Sequence, residues 1–299
     1  MRSSSRFVFL VNASAGTGRA PRRLTALLQQ SPELASRARI IITRAAAELD
    51  AALRLHDDEI PVSVGGDGSF NALVTLMDRR GELQRTLAIL PFGTGNATAH
   101  TLNLRTAAGA LAALEHGTTR RLDIMRTSLA STPIALVSCS TGFESNFLRR
   151  YSAVRYGSKP WAGISALLLN LPRQLRGVSL QLDGREWVTP STRIHNVGVY
   201  NIPHYAFGKI MWRGMAADDG LAIAATVTNP LWYWSLMARG ITAPLAADAL
   251  EARIPGVRAA RWTNAELRAP MGLQIDGESI DAQGLSLTVD ARAVTVIAG

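Results

Sequence analysis

Residues 62–71, Val-Ser-Val-Gly-Gly-Asp-Gly-Ser-Phe-Asn, constrain the fold more than any other stretch of the chain. Residues 60–64 form a short apolar run rich in β-branched side chains, the pattern of a buried strand. The run stops at Gly65-Gly66-Asp67-Gly68, and Ser69 opens an apolar-periodic segment (Phe70, Leu73, Val74, Met77) that reads as a helix. Three glycines around one acid make poor strand and poor helix. They suit a loop whose backbone N–H groups approach another group closely. At the mouth of a strand-to-helix turn, that group is most often a phosphate. An ordinary tight turn capped by Asp67 or Ser69 meets the same local pattern, so this stretch alone leaves both readings open.

Its neighbours decide between them. Residues 6–11 read as a buried strand and run into Asn12-Ala-Ser-Ala-Gly16-Thr-Gly18-Arg19, after which Pro21 starts a helix at a favoured position. A strand over 38–43 ends at Thr43 and leads to a helix over 45–55. A further strand, 86–90, breaks at Pro91-Phe-Gly93-Thr94-Gly95-Asn96 before a helix over 106–115. Strand and helix alternate four times with short connections, which specifies a parallel sheet with helices on both faces. Ligands of such sheets bind outside the carboxyl ends of the strands. Three small-residue loops and Thr43 share that placement, and independent turns have no reason to do so. The phosphate reading is therefore favoured. None of the loops is a P-loop or a dinucleotide fingerprint.

Near Arg120 the period changes. Strand-like runs follow at 133–139, 177–182, 192–200, 221–227, 265–269, 271–275, 285–289 and 293–297, with hairpin signals at Asp183-Gly184 and Asp276-Gly277. Helical stretches fall near 143–151, 161–171 and 230–239. The expected architecture is an α/β N-terminal domain over 1–121 and a β-rich, antiparallel sandwich-like second domain over 122–299, its last strand returning towards the first domain. The apolar segments 161–171 and 231–237 read as core, with a lipid-facing surface as the sharper alternative. His195 and His204 read as structural. Asp218-Asp219 and Asp276-Gly277-Glu278 read first as turns, with cation binding and a catalytic carboxylate as the respective alternatives.

Composition excludes several classes. With 299 residues, 47% hydrophobic and 18% charged, the chain is long enough for two cores and is not disordered. The single cysteine, Cys139, precludes an intrachain disulfide framework and fits a reducing, cytoplasmic setting; within an apolar run it reads as a buried structural thiol. The first apolar run is too short for a signal peptide, and no run reaches the ~20 residues of a membrane span. A net charge of +9, carried almost wholly by arginine, suits nucleotides or anionic headgroups. No nucleic-acid motif accompanies it.

Taken in order, these motifs resemble the lipid kinases built on the diacylglycerol kinase catalytic domain, whose relatives include sphingosine and ceramide kinases. Gly65-Gly66-Asp67-Gly68-Ser69-Phe70-Asn71 is similar to that family's nucleotide motif, and Pro91-Phe-Gly93-Thr94-Gly95-Asn96 to its second. Asn12, Ala217-Asp218-Asp219-Gly220-Leu221 and Asp276-Gly277-Glu278 match further elements, so the likeness spans most of the chain.

The resemblance implies transfer of the γ-phosphoryl group of ATP to a lipid hydroxyl, with the active site between the two domains. Gly65, Gly66, Asp67, Gly68, Ser69, Thr94, Gly95 and Asn96 would cradle phosphates, while Asn12 and Thr43 hold the nucleotide. Asp67 and Asp123 would organise catalytic Mg²⁺, and Glu278 would serve as general base. Asp219, with the carbonyls of Ala216 and Leu221, would hold a structural Mg²⁺. The expected partners are ATP and a lipid acceptor met at the anionic inner membrane face, with a homodimer compatible and nucleic acid not expected. Two departures stand out. Ala97 replaces an acid common after the second motif, as in the sphingosine-kinase-like branch, and apolar Ala222-Ile223 replaces the acid usual after Asp219-Gly220-Leu221. The rival readings are an NAD kinase, which shares the Gly-Gly-Asp-Gly loop but not Gly-Thr-Gly-Asn, and a nucleotide-binding regulator without catalysis.

Overall fold

A computed structural model describes residues 5–154, 173–205, 209–229, 245–246 and 256–299. The chain divides into two compact units. The first comprises residues 1–123, 204–209 and 291–299; the second comprises 124–203 and 210–290. The apolar segments 161–171 and 231–237 lie outside the described residues, as do the helices expected over 161–171 and 230–239.

The first unit is built on four parallel strands: β1 (Arg6–Asn12), β2 (Ala38–Thr43), β3 (Glu59–Gly65) and β4 (Thr86–Pro91). Their order across the sheet is β2-β1-β3-β4, and the end of the last strand of the chain lies parallel to β4 through Thr295 and Val296. Phe7 to Val11 of β1 and Leu87 to Leu90 of β4 are all buried, the continuous apolar run of a strand covered on both faces. Helices Ala20–Gln29, Ala46–Ala52, Asp67–Arg79 and Ala107–His116 pack on β1, β2, β3 and β4 respectively. The Asp67–Arg79 helix buries Phe70, Leu73, Val74, Leu76 and Met77 on one stripe. Each such side chain contributes about 1.5–3 kcal/mol when removed from water.

The strand order fixes where a ligand can sit. From β1 the chain crosses to β2 on one side, and β3 then lies on the other side of β1. Loops leaving β1 and β3 therefore diverge and open a crevice at the carboxyl ends, the switch point at which doubly wound sheets bind ligands.

The second unit is antiparallel. One sheet has the order Val257–Trp262, Ala222–Val227, Asn196–Tyr200, Ser138–Gly142, Leu273–Ile275, Glu278–Ile280. A second sheet joins the strand that starts at Gly284 to Asn264–Arg268, Ser179–Leu182 and Arg185–Val188. Asn264–Arg268 alternates exposed and buried residues, the pattern of a strand with one face in the core. Side chains of both sheets, including Cys139, Val199, Trp262, Leu180, Leu267 and Leu287, form one buried cluster. Burial pushes the Cys139 thiol well above its ordinary value, so this cysteine is an inert core residue.

Candidate active site

The crevice of the first unit is closed by side chains and glycines from three loops. Asn12, ending β1, pairs across the sheet with Thr43, ending β2, and Ala13 N–H donates to the Thr43 carbonyl at 2.9 Å. Asn12 Nδ2 donates to Ser69 Oγ at 3.0 Å, while its Oδ1 accepts from Ser14 N–H at 2.9 Å. Asn12 thus links the loop after β1 to the helix after β3 across the switch point. Thr43 is buried at the end of β2.

The loops after β3 and β4 are fastened to each other. The Gly65 carbonyl accepts from Phe92 N–H at 2.8 Å and Gly93 N–H at 3.0 Å. A methyl group on Gly66 would stand 3.1 Å from Gly93 Cα, and one on Gly93 would overlap Gly66 Cα. The glycines at 66 and 93 are therefore required by the contact of two backbones. Asn96, in the left-handed region at φ 53°, closes its own loop by accepting from Gly93 N–H at 3.1 Å and donating to the Gly93 carbonyl at 2.9 Å. The Gly95 Cα lies against Asp67 Oδ2 closely enough that a side chain there would sit 3.1 Å from it.

Asp67 has a definite structural task. Its Oδ2 accepts from Ala97 N–H at 3.0 Å and its Oδ1 from Thr98 N–H at 2.9 Å, so it caps the short helix Ala97–Thr101 in place of a local side chain. Each carboxylate oxygen keeps further acceptor capacity. Asp123 is buried, and its Oδ1 accepts from Arg292 N–H at 2.7 Å where the last strand passes through φ 54°. Among the described residues no group of three or more His, Cys, Asp or Glu is arranged to hold a metal ion.

Two features of this unit escape sequence reasoning. Arg23 lays its guanidinium 4.7 Å over the ring of buried Phe92, beside the glycine loop after β1. His204 joins the first unit from far along the chain and bonds Thr101 at 3.0 Å through Nδ1. Thr101 Oγ1 also lies 3.0 Å from the Ala97 carbonyl, so this hydroxyl joins the short helix to His204. Desolvation, then the nearby His100 and Arg105, lower the His204 pKa to about 4. No local signal marks such a partner a hundred residues away.

Glu278 stands in the second unit on a hairpin held unusually firmly. Asp276 and Gly277 take φ 49° and 87° at its turn, consistent with the mirror-image turns that suit hairpins. The Asp276 carboxylate accepts from Leu136, Val137 and Ser138 N–H groups at 2.7, 2.7 and 3.0 Å. Buried Gln274 donates to Ser138 Oγ and Ser140 Oγ and accepts from Gly277 N–H at 2.9 Å. Glu278 itself is exposed, the one acid of this turn directed to solvent. In the 214–221 loop, Asp219 Oδ1 accepts from Leu221 N–H at 3.1 Å and Oδ2 pairs with Arg261 Nη1 at 3.2 Å. Ala216 and Leu221 flank this turn, half-buried.

Residues 6–127 match the model of the diacylglycerol kinase catalytic domain. A solved diacylglycerol kinase from Bacillus anthracis str. Sterne superposes with a TM-score of 0.71 at 17% identity, covering 99% of this chain and 97% of that one. An NAD kinase from Archaeoglobus fulgidus in complex with ATP superposes with a TM-score of 0.51 at 14% identity, covering 97% and 93%. These likenesses establish the two-domain fold. No curated protein matches the chain.

Proposed function

We propose that the chain is an ATP-dependent lipid kinase that transfers the γ-phosphoryl group to a hydroxyl of a membrane lipid of diacylglycerol, sphingoid-base or ceramide type. The observation that carries this reading is the crevice at the β1/β3 switch point, where Asn12, Ser69 and the interlocked Gly66 and Gly93 loops meet. Phosphoryl transfer asks mainly for positioned phosphates and a base near the attacking hydroxyl. The loop over 65–69, with Thr94, Gly95 and Asn96, supplies backbone donors for the phosphates, and Asn12 and Thr43 bound the nucleotide. The ATP-bound NAD kinase shares the fold and supports nucleotide use.

Mg²⁺ would arrive as part of the substrate, carried on the ATP phosphates, whose negative charge it neutralises. Asp67 retains acceptor capacity for water around such an ion, and Asp123, buried, orders the backbone at Arg292. Glu278 takes the hydroxyl proton as general base. Its exposure and the rigidity of its hairpin suit an acceptor arriving from outside.

No helix among the described residues is long and apolar enough to cross a membrane. The enzyme would instead meet its acceptor peripherally at the cytoplasmic membrane face, where the +9 charge favours anionic lipid. ADP release, measured with and without mixed micelles of the candidate lipids, tests the reading. Micelle-stimulated release is expected, and turnover indifferent to every lipid would contradict it.

A further inference from the structure

We propose that Arg261 serves as a built-in cation for the 214–221 loop, taking the place of the structural Mg²⁺ that the family resemblance implies there. The loop feeds the strand Ala222–Val227, and its carboxylate is engaged at both oxygens. Asp219 Oδ1 accepts from Leu221 N–H at 3.1 Å, and Oδ2 meets Arg261 Nη1 at 3.2 Å. The other amino group of the same guanidinium, Nη2, donates to the Gly214 carbonyl at 3.2 Å. One side chain therefore spans the loop from its entrance at Gly214 to its exit at Asp219.

The chemistry of this clasp is that of a hard-cation site with the cation made covalent. A carboxylate and main-chain carbonyls are the ligands Mg²⁺ would collect, at about 2.0–2.1 Å in near-octahedral geometry. A guanidinium matches carboxylate and carbonyl oxygens through a planar fork of donors and is always charged. With it on Oδ2, a Mg²⁺ on the same carboxylate would face a like charge at close range. The sheet fixes where Arg261 sits: it lies opposite Ile223, and its neighbour Trp262, fully buried, lies opposite Ala222.

The sequence departs from the family at the same point. The acid usual after Asp219-Gly220-Leu221 is absent, and Ala222 and Ile223 are buried in the strand. A missing ligand acid and a resident arginine belong together: with one carboxylate fewer, a single positive charge completes the loop. The second unit should accordingly fold and melt without regard to Mg²⁺.

All six tryptophans fall in the chain segments of the second unit, so intrinsic tryptophan fluorescence reports its unfolding. Thermal unfolding of the full chain is followed without nucleotide or lipid, in EDTA and in millimolar Mg²⁺. The melting temperature is expected to be the same in both. R261A is expected to melt a few degrees lower, and D219N combined with R261A to fall no further than the worse single variant, since the two groups act as one unit. A wild-type melting temperature that rises with Mg²⁺ and loses that rise in D219N would overturn the proposal, as would R261A melting with wild type. The wild-type and D219N comparison decides even if R261A does not fold. Because no substrate is present, the outcome is independent of whether the kinase reading stands.

Discussion

Asp67 and Glu278 illustrate how differently two acids proposed for the reaction can be held. Asp67 spends both carboxylate oxygens on the N–H groups of Ala97 and Thr98, whereas Glu278 is exposed beside Asp276 and Gly277, which are hydrogen-bonded. Substitution should separate their effects. Asp67→Ala removes a helix cap, which costs about 1 kcal/mol and, for a domain-sized unit, about 2–4 °C in Tm. It should weaken ATP binding as well, because the capped helix carries the loop over 93–96. Glu278→Ala should abolish phosphoryl transfer with ATP affinity and Tm near wild type. Equal losses of ATP affinity in both variants, read by calorimetric titration, would remove Glu278 from its role. The imidazole of His204 sets a pH dependence. Its folded pKa of about 4 lies below the ordinary value of 6.5, so the unfolded chain takes up the proton first. Stability is intact above pH 6.5 and falls as pH drops from there to about 4. His100, also lowered by burial and Arg105, titrates in the same direction. His204→Asn should flatten that decline in denaturant titrations between the two pH values, and an unchanged slope would assign it to other groups.

At the scale of elements, the loops rather than the helices carry the identity of this fold. The strands over 6–12, 38–43, 59–65 and 86–91 are plain in the sequence because buried parallel strands are continuous apolar runs. The helix Ala97–Thr101 is not, because its cap is Asp67, thirty residues upstream, and no local residue announces it. Val257–Trp262 also escapes: Arg258, Ala259, Ala260 and Arg261 show neither alternation nor β-branching, and only pairing with Ala222–Val227 makes a strand of them. Two strands expected at 285–289 and 293–297 are one, Gly284–Ala298, since Arg292 turns the chain at positive φ without ending the ladder. Two predictions belong here. Gly93→Ala forces the Gly66 backbone away, an overpacking worth about 1–3 kcal/mol, and should lower ATP affinity about tenfold or more. Asp276→Ala strands three N–H groups of residues 136–138 at about 1–3 kcal/mol each if they stay dry. It should raise hydrogen exchange at those amides and lower Tm, whereas unchanged protection would mean that another group satisfies them.

For the whole molecule, the α/β and antiparallel halves were legible from the change of period near Arg120, and the motifs standing in order along the chain are what the proposed site rests on. The return of the last strand to the first unit was expected from the sequence, but that of residues 204–209 was not. Nothing local distinguishes residues 204–209 from the neighbouring segments of the second unit. The sequence was silent also on Arg261, whose partners lie 42 and 47 residues away in the chain. The central claim concerns the acceptor, because an ATP-bound NAD kinase shares the fold and a lipid kinase and an NAD kinase would both turn over ATP. The most direct measurement supplies γ-labelled ATP and Mg²⁺ together with NAD and mixed micelles of diacylglycerol, sphingoid base and ceramide, and separates the products. Label in a lipid, lost in Glu278→Ala, is the result expected. Label in NAD, or in no acceptor at all, would contradict it.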